Sequence, residues 1–265
     1  MPIFHSRWTT VAGLRTHDRF CTASPGLPVV LVHGLAVSHR YLLPTARALV
    51  GRHPVLVPDM PGFGRSDKPP VAWDVTRHAD HLGAWLDTLG LGPVCLAGHS
   101  FGAEVVARLA ADRPALVAGL VLAGPTTDPV ARSRSGLIRR FLVDMLVEAP
   151  AQAPMIARDA MRAGLWRVLA TVGHSVRNRI EDDLARLPVR PLVLGGELDP
   201  IAPLRWRASV TSATGGVAVT IPRAAHNVMT TSGRRSADAI AGFLSMGTRA
   251  AVPDRSVISP VVPRP

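Results

Sequence analysis

Lys68 is the only lysine, so nearly all of the 30 basic residues and of the formal +11 charge are arginine. The arginines are spread along the 265 residues and interleaved with 19 acidic ones. No basic run alternates with aromatics, and no helix-turn-helix or zinc-ligand spacing is present. The charge therefore reads as codon bias toward Arg, Ala, Pro and Gly, with no specific nucleic-acid partner. Cysteine is equally scarce. Cys21 and Cys95 lie far apart in strand-like runs and read as reduced, buried thiols of a cytoplasmic protein rather than a disulfide. There is no run of about 18 apolar residues, so no membrane span and no membrane partner are expected. Residues 1–19 lack the apolar core of a secretory signal. What the chain does have is a 47% apolar composition over 265 residues, enough for one large domain or a domain with an insertion.

Short continuous apolar runs alternate with helical patterns, with no internal repeat. Residues 4–11 and 14–22 read as an edge hairpin around Ala12-Gly13. Residues 28–32, 54–59, 93–97 and 116–123 read as strands buried on both faces. Helices are predicted at 41–50, at 75–89 with Asp74 as N-cap, and at 103–111. This implies a mainly parallel α/β sheet with helices on both faces. The alternation stops at Pro125. Residues 137–147, 154–163, 165–172 and 176–187 read as helices with no strand between them, an inserted helical cap. Alternation resumes with strands at 191–195 and 217–221 and helices near 204–210 and 236–243. The expected organisation is a core in two parts, 1–124 and 187–247, a cap at 125–186, and a disordered tail at 248–265.

The most informative stretch is Leu96-Ala97-Gly98-His99-Ser100-Phe101-Gly102, where a buried strand runs into Gly-x-Ser-x-Gly and then a helix. So sharp a turn strains the Ser backbone and needs Gly98 and Gly102 to let strand and helix approach. It presents the Ser100 hydroxyl at the carboxyl end of the sheet, beside a helix N-terminus that favours negative charge. A Ser hydroxyl needs a base, and the base needs a carboxylate to orient it. Asp199 follows the strand at 191–195, and His226 follows the strand at 217–221, in the chain order Ser, Asp, His. The negative oxygen of a tetrahedral intermediate also needs N–H donors; losing one typically costs about 3 kcal/mol of barrier.

With these residues the sequence resembles the α/β-hydrolase fold family. Four motifs carry the resemblance: His33-Gly34, the run Pro58 to Ser66, the turn at Ser100, and Asp199 with His226. It covers residues 4–243, with 125–186 in the place of the family's variable cap. The resemblance implies Ser100 as nucleophile, His226 as general base and acid, Asp199 as orienting carboxylate, and the N–H groups of Phe101 and Leu35 as first and second oxyanion donors. Some members carry the acid one strand earlier, which makes Asp128 the alternative to Asp199. A Ser at position 100 argues against the epoxide-hydrolase and haloalkane-dehalogenase branches, which use Asp there. No metal or cofactor is implied. The expected activity is cleavage of an ester, lactone or related carbonyl bond in a small, mostly apolar substrate. A cyclase or lyase, or a small-molecule receptor that keeps the triad, is the alternative.

Other residues read as structural. His33 shapes its loop, His99 packs inside the turn, and Asp59 bonds its own loop, braced by Phe63 and Arg65. Glu104 complements the helix dipole or pairs with an arginine. His174 and Trp166 divide between cap packing and pocket lining. His39 and Arg40, near the oxyanion loop, also read as structural, with contact to an acidic group on a substrate as the lesser alternative. Ala225 before the histidine and Leu35-Ala36-Val37-Ser38 after His33-Gly34 depart from common family patterns and leave the substrate subclass open.

Overall fold

The computed structural model describes residues 3–247, so the expected disordered tail at 248–265 lies outside the described residues. The chain opens with strands β1 (His5–Val11), β2 (Leu14–Cys21) and β3 (Val29–Val32), helix α1 (His39–Leu49) and strand β4 (Val55–Pro58). Helix α2 (Val75–Thr88), strand β5 (Val94–His99), helix α3 (Phe101–Asp112) and strand β6 (Val117–Ala123) follow. Four helices then succeed one another: α4 (Arg134–Val147), α5 (Ala153–Ala163), α6 (Leu165–Arg177) and α7 (Ile180–Leu184). Strand β7 (Leu192–Gly196), helix α8 (Leu204–Thr214), strand β8 (Val217–Ile221) and helices α9 (Val228–Thr231) and α10 (Gly233–Ser245) complete the fold.

The eight strands form one sheet in the order β1-β2-β4-β3-β5-β6-β7-β8. β1 and β2 are an antiparallel edge hairpin, β2 meets β4 antiparallel, and every later pairing is parallel. The central strands are apolar at consecutive positions because both faces are covered. Val30, Val32, Leu96 and Leu122 pack with α2 and α3. Val29, Leu31, Cys95 and Ala97 pack on the other face with α1 and α10. Burying both faces is what converts period-two strands into continuous apolar runs. Cys21 and Cys95 are buried free thiols, and burial pushes the Cys95 thiol up to about 12.

Three boundaries differ from the sequence reading. Helix α3 starts at Phe101, directly after Ser100, so the turn has no linker at all. The helices expected at 165–172 and 176–187 are one helix, α6, which runs through Gly173, followed by the short α7. Helix α9 was not expected; four residues are too few to show a helical period. Asp74 caps α2 as read, accepting from the Arg77 N–H at 2.9 Å.

Candidate active site

The carboxyl ends of β3, β5, β6, β7 and β8 converge, and the loops that leave them carry the expected residues. Ser100 sits between β5 and α3 with φ 56° and ψ −122°, a strained conformation for a residue with a side chain. Its neighbours leave no alternative. A Cβ at Gly98 would lie 2.2 Å from the Gly102 carbonyl oxygen, and one at Gly102 would lie 2.4 Å from that of Val32. The Ser100 N–H donates to the Ala123 carbonyl at 2.8 Å, which ties the turn to the end of β6.

Asp199 and His226 come together as the sequence predicts. His226 Nδ1–H donates to Asp199 Oδ2 at 3.0 Å, while Asp199 Oδ1 accepts the N–H groups of Ile201 at 2.9 Å and Ala202 at 2.8 Å. Burial alone would raise the Asp199 carboxyl; the charge and hydrogen bond of His226 and the Ala202 N–H outweigh it and hold the pKa below the ordinary value. Burial likewise opposes protonation of His226, but the charge and hydrogen bond of Asp199, with Asp144 and Glu148 nearby, raise its pKa to about 9. The far ring atom, His226 Nε2, is buried with no hydrogen-bond partner. The hydrogen bond from Ser100 is therefore not formed in this structure, as is common before a ligand tightens a site. The ring lies over Gly124, where a Cβ would meet His226 Cε1 at 2.9 Å, beside the Ala123 carbonyl that Ser100 binds. Gly124 was missed in the sequence, although a glycine ending a buried strand was its visible mark.

The alternative acid, Asp128, is turned elsewhere. It accepts from Arg140 at 2.6 Å, Arg205 at 2.9 Å and the Val130 N–H at 3.0 Å. The Leu35 loop lies against the turn, since a Cβ at Gly34 would stand 3.0 Å from Ser100 Cβ. Neither the Leu35 nor the Phe101 N–H donates a hydrogen bond among those described. His33 fixes this loop: Nδ1–H donates to the Gly34 carbonyl at 2.7 Å and Nε2 accepts the Met60 N–H at 3.0 Å. His99 Nε2–H donates to the His226 carbonyl at 2.9 Å, and the two rings meet at a tilt of 51° with centroids 4.7 Å apart.

A family model of the alpha/beta hydrolase fold matches residues 28–157, and one described as TAP-like protein matches residues 165–256. The chain belongs to the α/β-hydrolase fold family. Among curated relatives of this α/β hydrolase is "Lipase LipV" of Mycobacterium tuberculosis, 36% identical over 138 residues, which are 52% of this chain and 51% of that protein. A haloalkane dehalogenase of Mycobacterium marinum is 35% identical over 132 residues, 48% of this chain and 43% of that one. Thus the matched stretches span about half the length of these two relatives. A thermophilic esterase from Thermogutta terrifontis superposes with a TM-score of 0.76 at 25% identity, over 91% of this chain and 98% of that one.

In this α/β hydrolase the helical insertion also reaches the histidine loop, which the sequence did not reveal. Asp144 of α4 accepts the His226 N–H at 3.2 Å, and Glu148 accepts the Asn227 N–H. Burial raises the Asp144 carboxyl to about 6. Acids four residues apart in an apolar helix are the only sequence signal for this contact. Glu104 does not pair with an arginine. It is fully buried and accepts from Thr126 Oγ1 at 2.6 Å, Asn178 Nδ2 at 2.8 Å and Ser175 Oγ, joining α3 to the insertion; burial raises its carboxyl to about 7. Arg40 lies 3.6 Å from Asp159 of α5, so its acidic partner is within the chain. Asp59 is fully buried and holds its loop by accepting from His17 at 2.9 Å, His39 at 2.8 Å and the Arg65 N–H at 3.0 Å. His17, His39 and Asp59 are the one group with metal-ligand spacing among the described residues, and the hydrogen bonds just given already join them. Trp166 is half exposed under the Arg167 guanidinium, and His174 bonds Arg177 at 3.0 Å, so both belong to the outer insertion.

Proposed function

We propose that the chain is a serine hydrolase that cleaves an ester, lactone or related carbonyl bond in a small, mostly apolar substrate. The observation that carries this reading is the combination of a strained Ser100 with a His226 whose Nδ1 is held by Asp199 and whose Nε2 is free. In the proposed reaction Ser100 Oγ attacks the carbonyl carbon as its proton passes to His226 Nε2. The negative oxygen of the tetrahedral intermediate takes the N–H groups of Leu35 and Phe101. Collapse breaks the bond to the leaving group, which receives the proton from His226. Water then repeats the sequence on the acyl-Ser100, releasing the acid and restoring the hydroxyl. None of these steps calls for a metal or cofactor.

Ser at position 100 supports this chemistry over that of the dehalogenase relatives, whose branch uses an Asp nucleophile. The apolar side chains that α5 and α6 turn inward, Met155, Ile156, Ala163 and Val168, support a mostly apolar substrate. The two buried free thiols support a cytoplasmic location, and no helix among the described residues is long and apolar enough to cross a membrane. A fluorophosphonate probe tests the reading. It is expected to label Ser100 in the wild type and nothing in Ser100→Ala. A folded wild type that stays unlabelled would overturn the activated nucleophile.

A further inference from the structure

Helix α4 is built inside out. Ile138, Phe141, Leu142, Met145 and Leu146 recur at i, i+3, i+4, i+7 and i+8, the spacing with which a helix normally faces a core. Here the stripe faces solvent: Leu142 is 56%, Met145 61% and Leu146 85% exposed. The residues that α4 buries are Arg140 and Asp144. Arg140 donates to Asp128 at 2.6 Å and to the Ile201 carbonyl at 3.0 Å, and Asp144 accepts the His226 N–H at 3.2 Å. The helix cannot roll its stripe inward without stranding both buried charges, so the outward face is fixed by polar contacts on the opposite side.

The apolar surface continues over α5 and α6, which pack on one another, with Met161, Leu165 and Trp166 exposed. Charge decides what covers it. Between residues 134 and 169 the exposed charged side chains are Arg134, Arg139, Arg158 and Arg162, and none forms an ion pair among the described residues. The acids of the same stretch are withdrawn: Asp144 and Asp159 are buried, and Glu148 is half-buried against Gln152 and the Asn227 N–H. A second copy laid face to face would bring two sets of unpaired guanidinium groups together. A surface of anionic headgroups over acyl chains would satisfy both features at once. Trp166, half exposed with Arg167 4.8 Å over its ring, has the amphipathic character that favours such a boundary.

We propose that the outer face of α4 to α6 docks this chain on an anionic lipid bilayer, with the α4 stripe inserted and the arginines on the headgroups. The absence of a spanning helix does not bear on this, because an interfacial helix lies in the plane of the surface. The proposal does not rest on Ser100.

Flotation of the full chain with vesicles tests it, using phosphatidylcholine alone and phosphatidylcholine with about one-third phosphatidylglycerol. Binding to the anionic vesicles at low salt is expected, weakening as salt is added, with much less on phosphatidylcholine alone. Leu142→Asp with Leu146→Asp is expected to weaken binding about tenfold or more. Both side chains are largely exposed, so circular dichroism and thermal unfolding should match the wild type. Arg139→Glu with Arg158→Glu is expected to erase the preference for phosphatidylglycerol and provides a second route should the leucine variant fail to fold. Ser100→Ala is expected to bind as the wild type does, which separates this proposal from the hydrolase reading. No binding to anionic vesicles at low salt, or unchanged binding by the folded leucine variant, would overturn it. So would a wild-type dimer in light scattering that the leucine variant dissociates, since a second copy would then cover the stripe.

Discussion

Asp199 and Asp59 are both buried carboxylates that accept the Nδ1–H of a histidine, from His226 at 3.0 Å and from His17 at 2.9 Å. Beyond His17 lies a serine as well: His17 Nε2 is 3.3 Å from Ser6 Oγ. The chain therefore holds two Ser-His-Asp series, and the one with the complete set of hydrogen bonds is not the proposed catalytic one. What separates them is the serine's surroundings. Ser6 stands exposed in regular extended backbone on an edge strand, with no helix N-terminus behind it. Ser100 is strained, half-buried, and followed at once by α3. The carboxylates differ too. Asp59 is spent on two imidazoles and on the N–H groups of His39 and Arg65, whereas Asp199 serves one imidazole and two N–H groups of its own loop. A triad is thus recognised by what stands ready for the oxyanion and the acyl group, not by the hydrogen bonds alone.

The strongest way to break this distinction is to remove each serine. Ser100→Ala is expected to lower kcat on a short p-nitrophenyl ester by about 10^4-fold or more, and Ser6→Ala to change it by less than about twofold. The reverse order would make Ser6 the nucleophile. Next in size is the acid. Asp199→Asn leaves the shape but disturbs the tautomer of His226, and a fall of about 10^4-fold is the precedent for such a change. Asp128→Asn disturbs only the contacts with Arg140 and Arg205 and is expected to keep most of the activity. If Asp128→Asn alone abolished turnover, Asp199 would not be the orienting acid.

The two series were not equally legible in the sequence. Ser100 and Asp199 each follow a buried strand and His226 follows the edge strand β8, and period and punctuation alone placed them at one end of the sheet. Ser6, His17 and Asp59 meet because β2 pairs antiparallel with both β1 and β4, and no local pattern specifies that three-strand register. The contacts of the insertion were less visible still. Asp144 sits in α4 between Val143 and Met145, where an acid reads as part of a solvated face. Only tertiary packing buries it, and the same packing turns a stripe with core spacing outward. The Glu104 contacts were hidden for the same reason: their partners, Thr126, Ser175 and Asn178, lie in segments that meet only in the folded chain.

Asp59 offers a test of a different kind, because its role is to hold two loops rather than to serve a reaction. Burial would raise its carboxyl, but the hydrogen bonds from His17 and His39, with the charges of His39 and His33, outweigh it and keep the carboxyl well below the usual carboxylate range. A depressed folded pKa contributes stability above the unfolded value, which is lost as pH falls toward the folded one. Asp59→Asn removes the charge and places an amide donor against ring N–H donors. A loss of about 3 kcal/mol in urea unfolding near neutral pH is expected, shrinking on the acid side. Asp199→Asn is expected to cost rate far more than stability. Equal losses of stability in the two variants would erase the difference between them.

The smallest expected effect isolates what the insertion adds to His226. Its imidazole must be neutral to accept the Ser100 proton, and with a pKa raised to about 9 it is mostly protonated at neutral pH. For the free enzyme, kcat/KM should therefore climb about tenfold per pH unit below that value and level off above it. Asp144 contributes to the elevation as an anion close to His226; its own carboxyl, raised to about 6 by burial, is ionised over the upper part of that climb, between about 6 and 9. Replacing it by Asn keeps an acceptor for the His226 N–H and removes the charge. The neutral base then forms at lower pH, so the rising limb of Asp144→Asn should move toward acid by up to about one unit. Activity near neutral pH should rise relative to the plateau. Among the described residues no acid of the insertion forms a hydrogen bond or ion pair with His17, so this shift belongs to the Asp199 series. A rising limb that stays in place in a folded Asp144→Asn variant would mean that Asp144 acts on His226 through loop position alone.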